Sequence, residues 1–528
     1  MKNEKNLYFY VFNCIIVLGV DNVNNILIKI EYLNEAVRLE SIGEKSFENL
    51  SLNEVISFKA LCDNKVTPII KYNGCEVKAT DFIYTITVTE NGVLTVDALG
   101  LTVGQNHKVG VGLNGEDLTA YNPEVFMKPV WEGDTVYHEA VMFADSADGI
   151  VQKEKKLLFP IDEIISVRNN NLDKWYVSGV DFKVENGKLI FIEGGNCPCW
   201  KGNFTVSANE EDSYFDPALN VGTSGKAASW YTTVEKGDKG LNLIYDAYHE
   251  KCTLYVTYTH SKTWADLGEE GFCPEKPDNQ SDRVKYFYEK LASGDDINAL
   301  VFGASTATGC SSTGMLKNYE LFSREPDENG EYQVTLRKET CDGICAVPFF
   351  EQATNEMVKR YGNGNKVNFY NIANGGTGAA WGKKSLLPRI EFMNKYYGKK
   401  IVPDIIFLKF MGNDARTKPE SFLDSNESMV ADFKRLYPNA LIVLVSGKIN
   451  NERTYIYRDY HENLLKLQDV LCDIASRYEN CVVAKATPFW IEALKSKDCE
   501  DYLSNNINHA NDFWAKTTAQ IIVATIEK

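Results

Sequence analysis

Positive charge is what this chain lacks most. Its 56 Lys and Arg stand against 73 Asp and Glu, a formal net charge of −17 over 528 residues. Holding a phosphate backbone takes Lys and Arg gathered on one face, so no nucleic-acid partner is expected. The acidity serves solubility. Apolar runs long enough to span a bilayer are missing, so no membrane association is expected. The most signal-like stretch is 1–20, with Lys2 and Lys5 ahead of an apolar run from Leu7. Glu4 dilutes its charge, Asn13 interrupts it, and no small-x-small cleavage site follows. It reads as a structured N-terminal element, with a cytoplasmic location favoured over secretion. Internal repeats and low-complexity tracts are missing too. The 13 Cys follow no framework spacing. Cys197 and Cys199, and Cys341 and Cys345, are close pairs without a second pair at zinc-site spacing. No metal is expected, and most of these thiols read as free, which favours a reducing compartment.

What is present fits a globular protein of roughly two to four domains: 44% of residues are hydrophobic and 24% charged. The 28 Tyr and 8 Trp suit β-structure and sugar-stacking surfaces, although core packing is the commoner use. Residues 1–145 read as a β-rich region. Asn73-Gly74, Asn91-Gly92 and Asn114-Gly115 punctuate extended runs such as 82–88 and 93–96, the pattern of hairpins in a sandwich. A second β-rich block covers 146–275, with strands expected at 164–168 and 254–260 and a turn at Asn186-Gly187. His107 and His138 are isolated and read as structural or surface residues. Residues 268–281, with Pro274, Pro277 and several acidic side chains, read as a linker. A short helix follows at 283–291.

From Ile297 onward strands and helices alternate. Strands are expected at 299–302, 367–372, 405–410, 440–445 and 481–484, and helices at 348–361, 428–436, 461–478 and 512–527. That alternation means a parallel sheet covered on both faces. The polar stretch 323–342 reads as an insertion loop.

The chemistry starts where the first strand ends, at Gly303-Ala304-Ser305. Ligands and nucleophiles of such sheets sit at the carboxyl ends of strands. A serine nucleophile needs a base and donors for the developing oxyanion. Three later stretches can supply them: Asn371 with Gly375-Gly376-Thr377-Gly378, Met411-Gly412-Asn413-Asp414, and Asn505-Asn506-Ile507-Asn508-His509. Each follows a strand or precedes the last helix, so all can converge on one sheet edge. Blander readings stand beside these. The glycines serve a tight turn with positive φ, Asn413 and Asp414 cap a turn, and Asp512 stabilises the start of the last helix. Trp381 and Trp200 line a sugar site or pack in a core.

These blocks resemble those of the SGNH (GDSL-type) hydrolases. Gly303 to Gly309 is similar to the first, 371–382 with Trp381-Gly382 to the second, 410–414 to the third and 506–509 to the fourth. The resemblance implies an α/β class with a flavodoxin-like hydrolase domain at 276–528. A jelly-roll β-domain at 146–275 would precede it, and the β-rich region 1–145 keeps an unassigned role. It implies Ser305 as nucleophile and His509 as base, with an oxyanion hole of the Ser305 and Gly376 amides and the Asn413 side chain. Asn506 stands where an Asp usually orients the histidine, and Trp381 is a candidate substrate-binding residue. No cofactor is implied. The expected activity is a serine esterase removing O-acyl groups, acetyl above all, from an oligo- or polysaccharide. Ala304, Met411, Asn506 and Ala510 depart from the usual pattern. A glycan-binding protein on a decayed esterase, a sugar O-acyltransferase and a structural surface component remain open alternatives.

Overall fold

The computed structural model describes residues 127–170, 176–207, 252–267, 274–309, 319–337, 348–447, 450–453 and 460–528, with short strands elsewhere. His107, Cys341, Cys345, the three Asn-Gly turns of the first region and residues 268–273 lie outside the described residues.

Five parallel strands organise the C-terminal part: Ile297–Gly303 (β1), Val367–Asn371 (β2), Ile405–Lys409 (β3), Leu441–Val445 (β4) and Cys481–Ala484 (β5). Their order is β2-β1-β3-β4-β5. This is the doubly wound flavodoxin-like order, in which the winding reverses between β1 and β3 and opens a crevice at their carboxyl ends. β3 and β4 are buried at every position, as expected for apolar strands covered on both faces. Strand alternation decides which helix covers which face. Val301 pairs with Phe407, so Phe302 and Phe407 point to opposite sides.

The helices are Lys285–Ser293 (α1), Phe349–Tyr361 (α2), Ala379–Tyr396 (α3), Pro419–Leu436 (α4), His461–Arg477 (α5), Thr487–Ala493 (α6) and Asp512–Ile526 (α7). Phe302 meets Trp381 of α3 and Phe433 of α4, with ring centroids 5.9 and 6.5 Å away. Phe407 meets Phe349 and Phe350 of α2, each at 6.3 Å. Sequence explains the ends of α4: Pro419 sits in its first turn with Glu420, and Lys434 and Arg435 complement the dipole in its last. Asn511 caps α7 by accepting from Trp514 N at 3.3 Å. α7 is buried almost all round. No face of this helix is left to solvent, and the β-region covers the side that carries Lys516 and Gln520. Lys516 Nζ donates to Tyr137 O at 2.5 Å and Gln520 Nε2 to Lys128 O at 2.7 Å.

That β-region is antiparallel. Val151–Gln152, Thr135–Asp145, Thr253–Thr259 and Glu163–Asn169 pair in that order, and Cys199–Trp200 adds to Thr135–Asp145 in parallel. Thr135–Asp145 lies before residue 146 yet pairs with strands after it. The Asn186-Gly187 turn joins Phe182–Glu185 to Lys188–Phe191, with φ of 52° and 72° at its two residues, the positive pair that a type I′ hairpin requires. A continuous apolar core includes Val141, Phe159 and Tyr258 of the β-region together with Phe513 and Ile522 of α7. Trp200 is buried against Phe204, at 5.9 Å, in a smaller core.

Three expectations change. In the first region Ile83–Thr87 and Val93–Leu99 flank Asn91-Gly92 but do not pair with each other. They join Val55–Cys62 and Thr67–Tyr72 in separate four-stranded sheets, so non-local pairing outweighs the local turn signal. The stretch 323–342 is not simply a loop: Val334–Arg337 pairs back on Tyr319–Phe322, and Asp327 closes the bend by accepting from Asn329 N and Glu331 N. α3 is not among the helices that the sequence predicts; Gly382 and Pro388, residues that disfavour helix, lie within it. No helix of the described residues is long and apolar enough to cross a membrane.

Gly303 is the tightest point of the sheet. A Cβ there would lie 2.0 Å from Lys409 O and 2.8 Å from Ala307 Cβ. Gly303→Ala is therefore expected to destabilise the fold by about 1–3 kcal/mol or more through overpacking against backbone. Chemical denaturation of the purified variant measures it, and an unchanged midpoint would mean that β1 and β3 separate at their ends without penalty.

Candidate active site

Ser305, Gly376, Asn413 and His509 sit on the carboxyl edge or in the segment before α7. Ala304 N donates to Lys409 O at 2.9 Å, pulling the chain across the end of β3. Ser305 then opens a short 3-10 turn, 305–308, closed by Thr308 Oγ1 donating to Ser305 O at 2.6 Å. Ser305 is half-buried. Asn371, at the end of β2, donates from Nδ2 to Ala307 O at 2.9 Å and so fastens this turn from the other side.

His509 is brought from the far end of the chain. Its Nε2 lies 3.0 Å from Ser305 Oγ, a hydrogen-bond distance. The loop carrying it has no strand to ride on. Asn505 Oδ1 accepts from the backbone N–H groups of Ile507, Asn508 and His509 at 3.1, 2.9 and 3.0 Å. Ser504 N donates to His509 O at 2.8 Å. The imidazole is buried, with 5% exposure.

Asn413 follows β3 and lines one small cavity together with Ser305, Lys409, Gly447, Asn450 and Asn508. One of its amide hydrogens is held by Thr377 O at 2.8 Å, which orients the group and leaves the second N–H for a ligand. Gly376 stands in the left-handed region at φ 69°, and the neighbouring Gly375 is close enough that a Cβ would lie 3.7 Å from Ser305 Cβ. Among the described residues no hydrogen bond engages the Ser305 or Gly376 backbone N–H. The arrangement can pass a proton from hydroxyl to imidazole, with the Asn413 amide on the same cavity as a donor for a developing negative charge.

Two predicted residues are placed elsewhere. Asn506, at φ 61°, donates from Nδ2 to Phe204 O at 2.9 Å and accepts at Oδ1 from Asn451 Nδ2 at 3.2 Å. Among the described residues no hydrogen bond joins its side chain to the His509 ring. Trp381 lies under the Arg389 guanidinium, 5.3 Å from its ring centre, with Nε1 donating to Glu325 Oε1 at 3.1 Å. It does not line the serine cavity. Among the described residues no cluster of His, Cys, Asp and Glu is arranged to hold a metal ion.

Three residues contribute in ways the sequence reading does not assign: it names Asp414 only as a turn cap and Met411 only as a departure, and it does not single out Lys409. Asp414 is buried and accepts from Ala379 N and Met411 N, each at 3.0 Å, pinning the start of α3 to the end of β3. Burial raises its carboxyl above the usual range against the pull of those amides. Met411 adopts φ 85° and is fully buried, its Sδ accepting from Gly447 N at 3.0 Å. A β-carbon residue in that region stores about 1–3 kcal/mol of strain. The signal was its position where the resemblance favours Gly. Lys409 ends an apolar strand, and a lone charge in such a run was its signal. Its Nζ donates to Ser446 O at 2.9 Å and lies 5.3 Å from the Phe349 ring centre. Burial lowers its pKa to about 7.

That depression gives a signed prediction. Above pH of about 7 folded Lys409 has released its proton, while the unfolded chain keeps it to about 10.5. The unfolded state then binds more protons, so this group's contribution to stability rises with pH across that window. Relative to Lys409→Met, the wild type is expected to gain up to about 1.4 kcal/mol per pH unit. Urea midpoints of both proteins at a series of pH values measure it; parallel pH profiles would contradict a buried, depressed amine.

No protein-family model matches the chain, and no curated protein matches it. Solved structures do. One is a two-domain esterase active on acetylated mannans, co-crystallised with mannopentaose: 16% identity, TM-score 0.32, covering 47% of this chain and 53% of that one. The chain thus spans about half the length of that protein. A lipase/acylhydrolase from Enterococcus faecalis is similar at 13% identity and TM-score 0.29, covering 43% of this chain and 93% of that one. An acetyl xylan esterase from Geobacillus stearothermophilus is similar at 14% identity and TM-score 0.28, covering 44% and 92%. Scores of this size assign no substrate to this chain.

Proposed function

We propose that this chain is a serine esterase that removes O-acyl groups, acetyl above all, from carbohydrate. The observation that carries the reading is His509 Nε2 at 3.0 Å from Ser305 Oγ on the carboxyl edge of the sheet. Ser305 Oγ attacks the ester carbonyl carbon as His509 takes its proton. The Ser305 and Gly376 N–H groups and the Asn413 amide meet the oxyanion. Collapse expels the sugar oxygen, which leaves with the proton from His509. Water, deprotonated by the same imidazole, attacks the acyl carbon; collapse breaks its bond to Ser305 Oγ, which takes the proton back from His509, and the carboxylic acid leaves. Asn506 braces the histidine loop through Phe204 and Asn451 rather than touching the ring. The β-region, read as a jelly roll over 146–275, walls the site for an acylated oligo- or polysaccharide. Residues 1–126 keep no assigned part.

Release of 4-nitrophenol from its acetate and of acetate from acetylated xylan, mannan and pectin tests the reading. Ser305→Ala and His509→Ala are each expected to lower kcat by several orders of magnitude with the fold intact. Asn413→Ala should lower kcat about 10²–10³-fold with little change in KM, because the charge it meets exists only in the transition state. Asn506→Ala should lose only about tenfold, the size of one neutral hydrogen bond. Near wild-type turnover by Ser305→Ala or His509→Ala would end the esterase reading, and a KM-only effect at Asn413 would make it a ground-state contact.

A further inference from the structure

The histidine loop leaves the sheet with no strand to fix it, and its root is held by the β-region. Residues 498–501 form a capped turn, Asp498 N donating to Asp501 Oδ2 at 3.2 Å. From that turn the chain runs directly to the loop. Asn511 Nδ2 donates back to Asp501 O at 2.9 Å, and Leu503 bridges to Ala510. Any tilt of the turn is therefore passed to His509.

Across this turn lies Lys155, whose side chain is 1% exposed. Its Nζ reaches Asp498 Oδ2 at 2.7 Å, Asp501 Oδ1 at 3.0 Å and Gln152 Oε1 at 2.8 Å. Asp501 Oδ1 also accepts from Met142 N at 2.9 Å. Gln152 Nε2 donates to Glu500 Oε2 at 2.9 Å, and Arg453 closes on the same carboxylate. Burial works against the Lys155 charge, but Asp501, Asp498 and Glu500 outweigh it and hold its pKa above the usual lysine value. A buried ion group of this kind is weak evidence for stability, because desolvation offsets attraction; its attested use is to fix one arrangement over others.

We propose that Lys155 is a positioning residue for His509: its ammonium ties the β-region to the 498–501 turn and thereby fixes the loop that carries the imidazole. This rests on the reading of Ser305 and His509 given above. Loss of Lys155 leaves Asp501 buried without the cation in contact with it, Lys497 acting only at longer range, and the turn moves to hydrate the carboxylate. A misplacement on the order of 1 Å in a reacting group lowers turnover by about 10²-fold, whereas a contact that only holds the fold changes stability and not kcat.

The test uses the full chain. Lys155→Gln is compared with Gln520→Leu, which removes an α7 contact to the β-region away from the loop. Two readouts are taken well below the melting temperature: steady-state hydrolysis of 4-nitrophenyl acetate, and hydrogen exchange of the amides of 504–509. For Lys155→Gln the expected result is a kcat lower by about 10–100-fold, KM within about twofold, and faster exchange confined to that loop. Gln520→Leu should keep wild-type kcat. Wild-type kcat in Lys155→Gln, or slowed turnover without loosened loop amides, overturns the proposal. If Lys155→Gln does not fold, Gln152→Leu decides, since it removes the bond orienting the ammonium: a smaller kcat loss at constant KM supports the tie, and wild-type kcat overturns it. If the wild type shows no esterase turnover, the functional reading fails by itself, and the exchange data still decide whether Lys155 holds the loop.

Discussion

The close approach of Gly303 to Lys409 O is the constraint on which the site depends. Only a residue without Cβ lets β1 end in contact with β3, and the bond from Ala304 N to Lys409 O then turns the chain so that Ser305 emerges at the crevice. The order reversal between β1 and β3 makes that crevice, so one missing side chain joins the topology of the sheet to the placement of the hydroxyl. The same strand end presents Asn413 four residues later. Candidate nucleophile and candidate anion donor thus share a frame set by sheet register rather than by flexible contacts.

Around that point the fold tolerates what it avoids elsewhere. Met411 holds a backbone conformation suited to Gly, and Lys409 keeps its amine buried, with no carboxylate among the described residues paired to it. Both are local violations of sequence–structure consistency, and such violations gather at functional sites. Each is offset by a specific partner: Gly447 N on the Met411 sulfur, and Ser446 O with the Phe349 ring on the lysine. Ala304, which stands where the resemblance has an Asp, leaves the turn to be braced by backbone and by Asn371 instead.

The sequence made the sheet legible because buried parallel strands are short apolar runs between glycine and polar breaks. β5 was bounded to the residue at Cys481 and Ala484, and β2 to β4 to within one. α3 was hidden because Pro388 and Gly382 erase the usual signal, although Gly382 is there so that Phe410 can approach; a Cβ would lie 2.6 Å from its ring. The sequence shows only the part of α4 from 428 onward, because buried positions of its earlier turns are the polar Ser425 and Asn426, which break the apolar spacing. Ser305, Asn413 and His509 could be grouped because each lies at the end of a readable element. The true contacts of Asn506 could not, because Phe204 O is about three hundred positions away and a backbone carbonyl leaves no mark in a sequence.

That last case separates two ways of holding a reactive group. Ser305 and Asn413 are fixed by strands, whose register is specified by burial on both faces and cannot slip without exposing apolar residues. His509 arrives after the last strand, where no register exists, and ordering its loop must overcome about 1–2 kcal/mol of backbone entropy per residue. Asn505 meets part of this by gathering three successive N–H groups on one oxygen, a local device that keeps the loop's shape but not its place. Place requires contacts outside the loop. They come from the β-region at both ends, from Lys155 and Met142 N at the root and from Phe204 O at the tip. The sheet therefore presents one half of the hydroxyl–imidazole pair, and the β-region holds the other half against it.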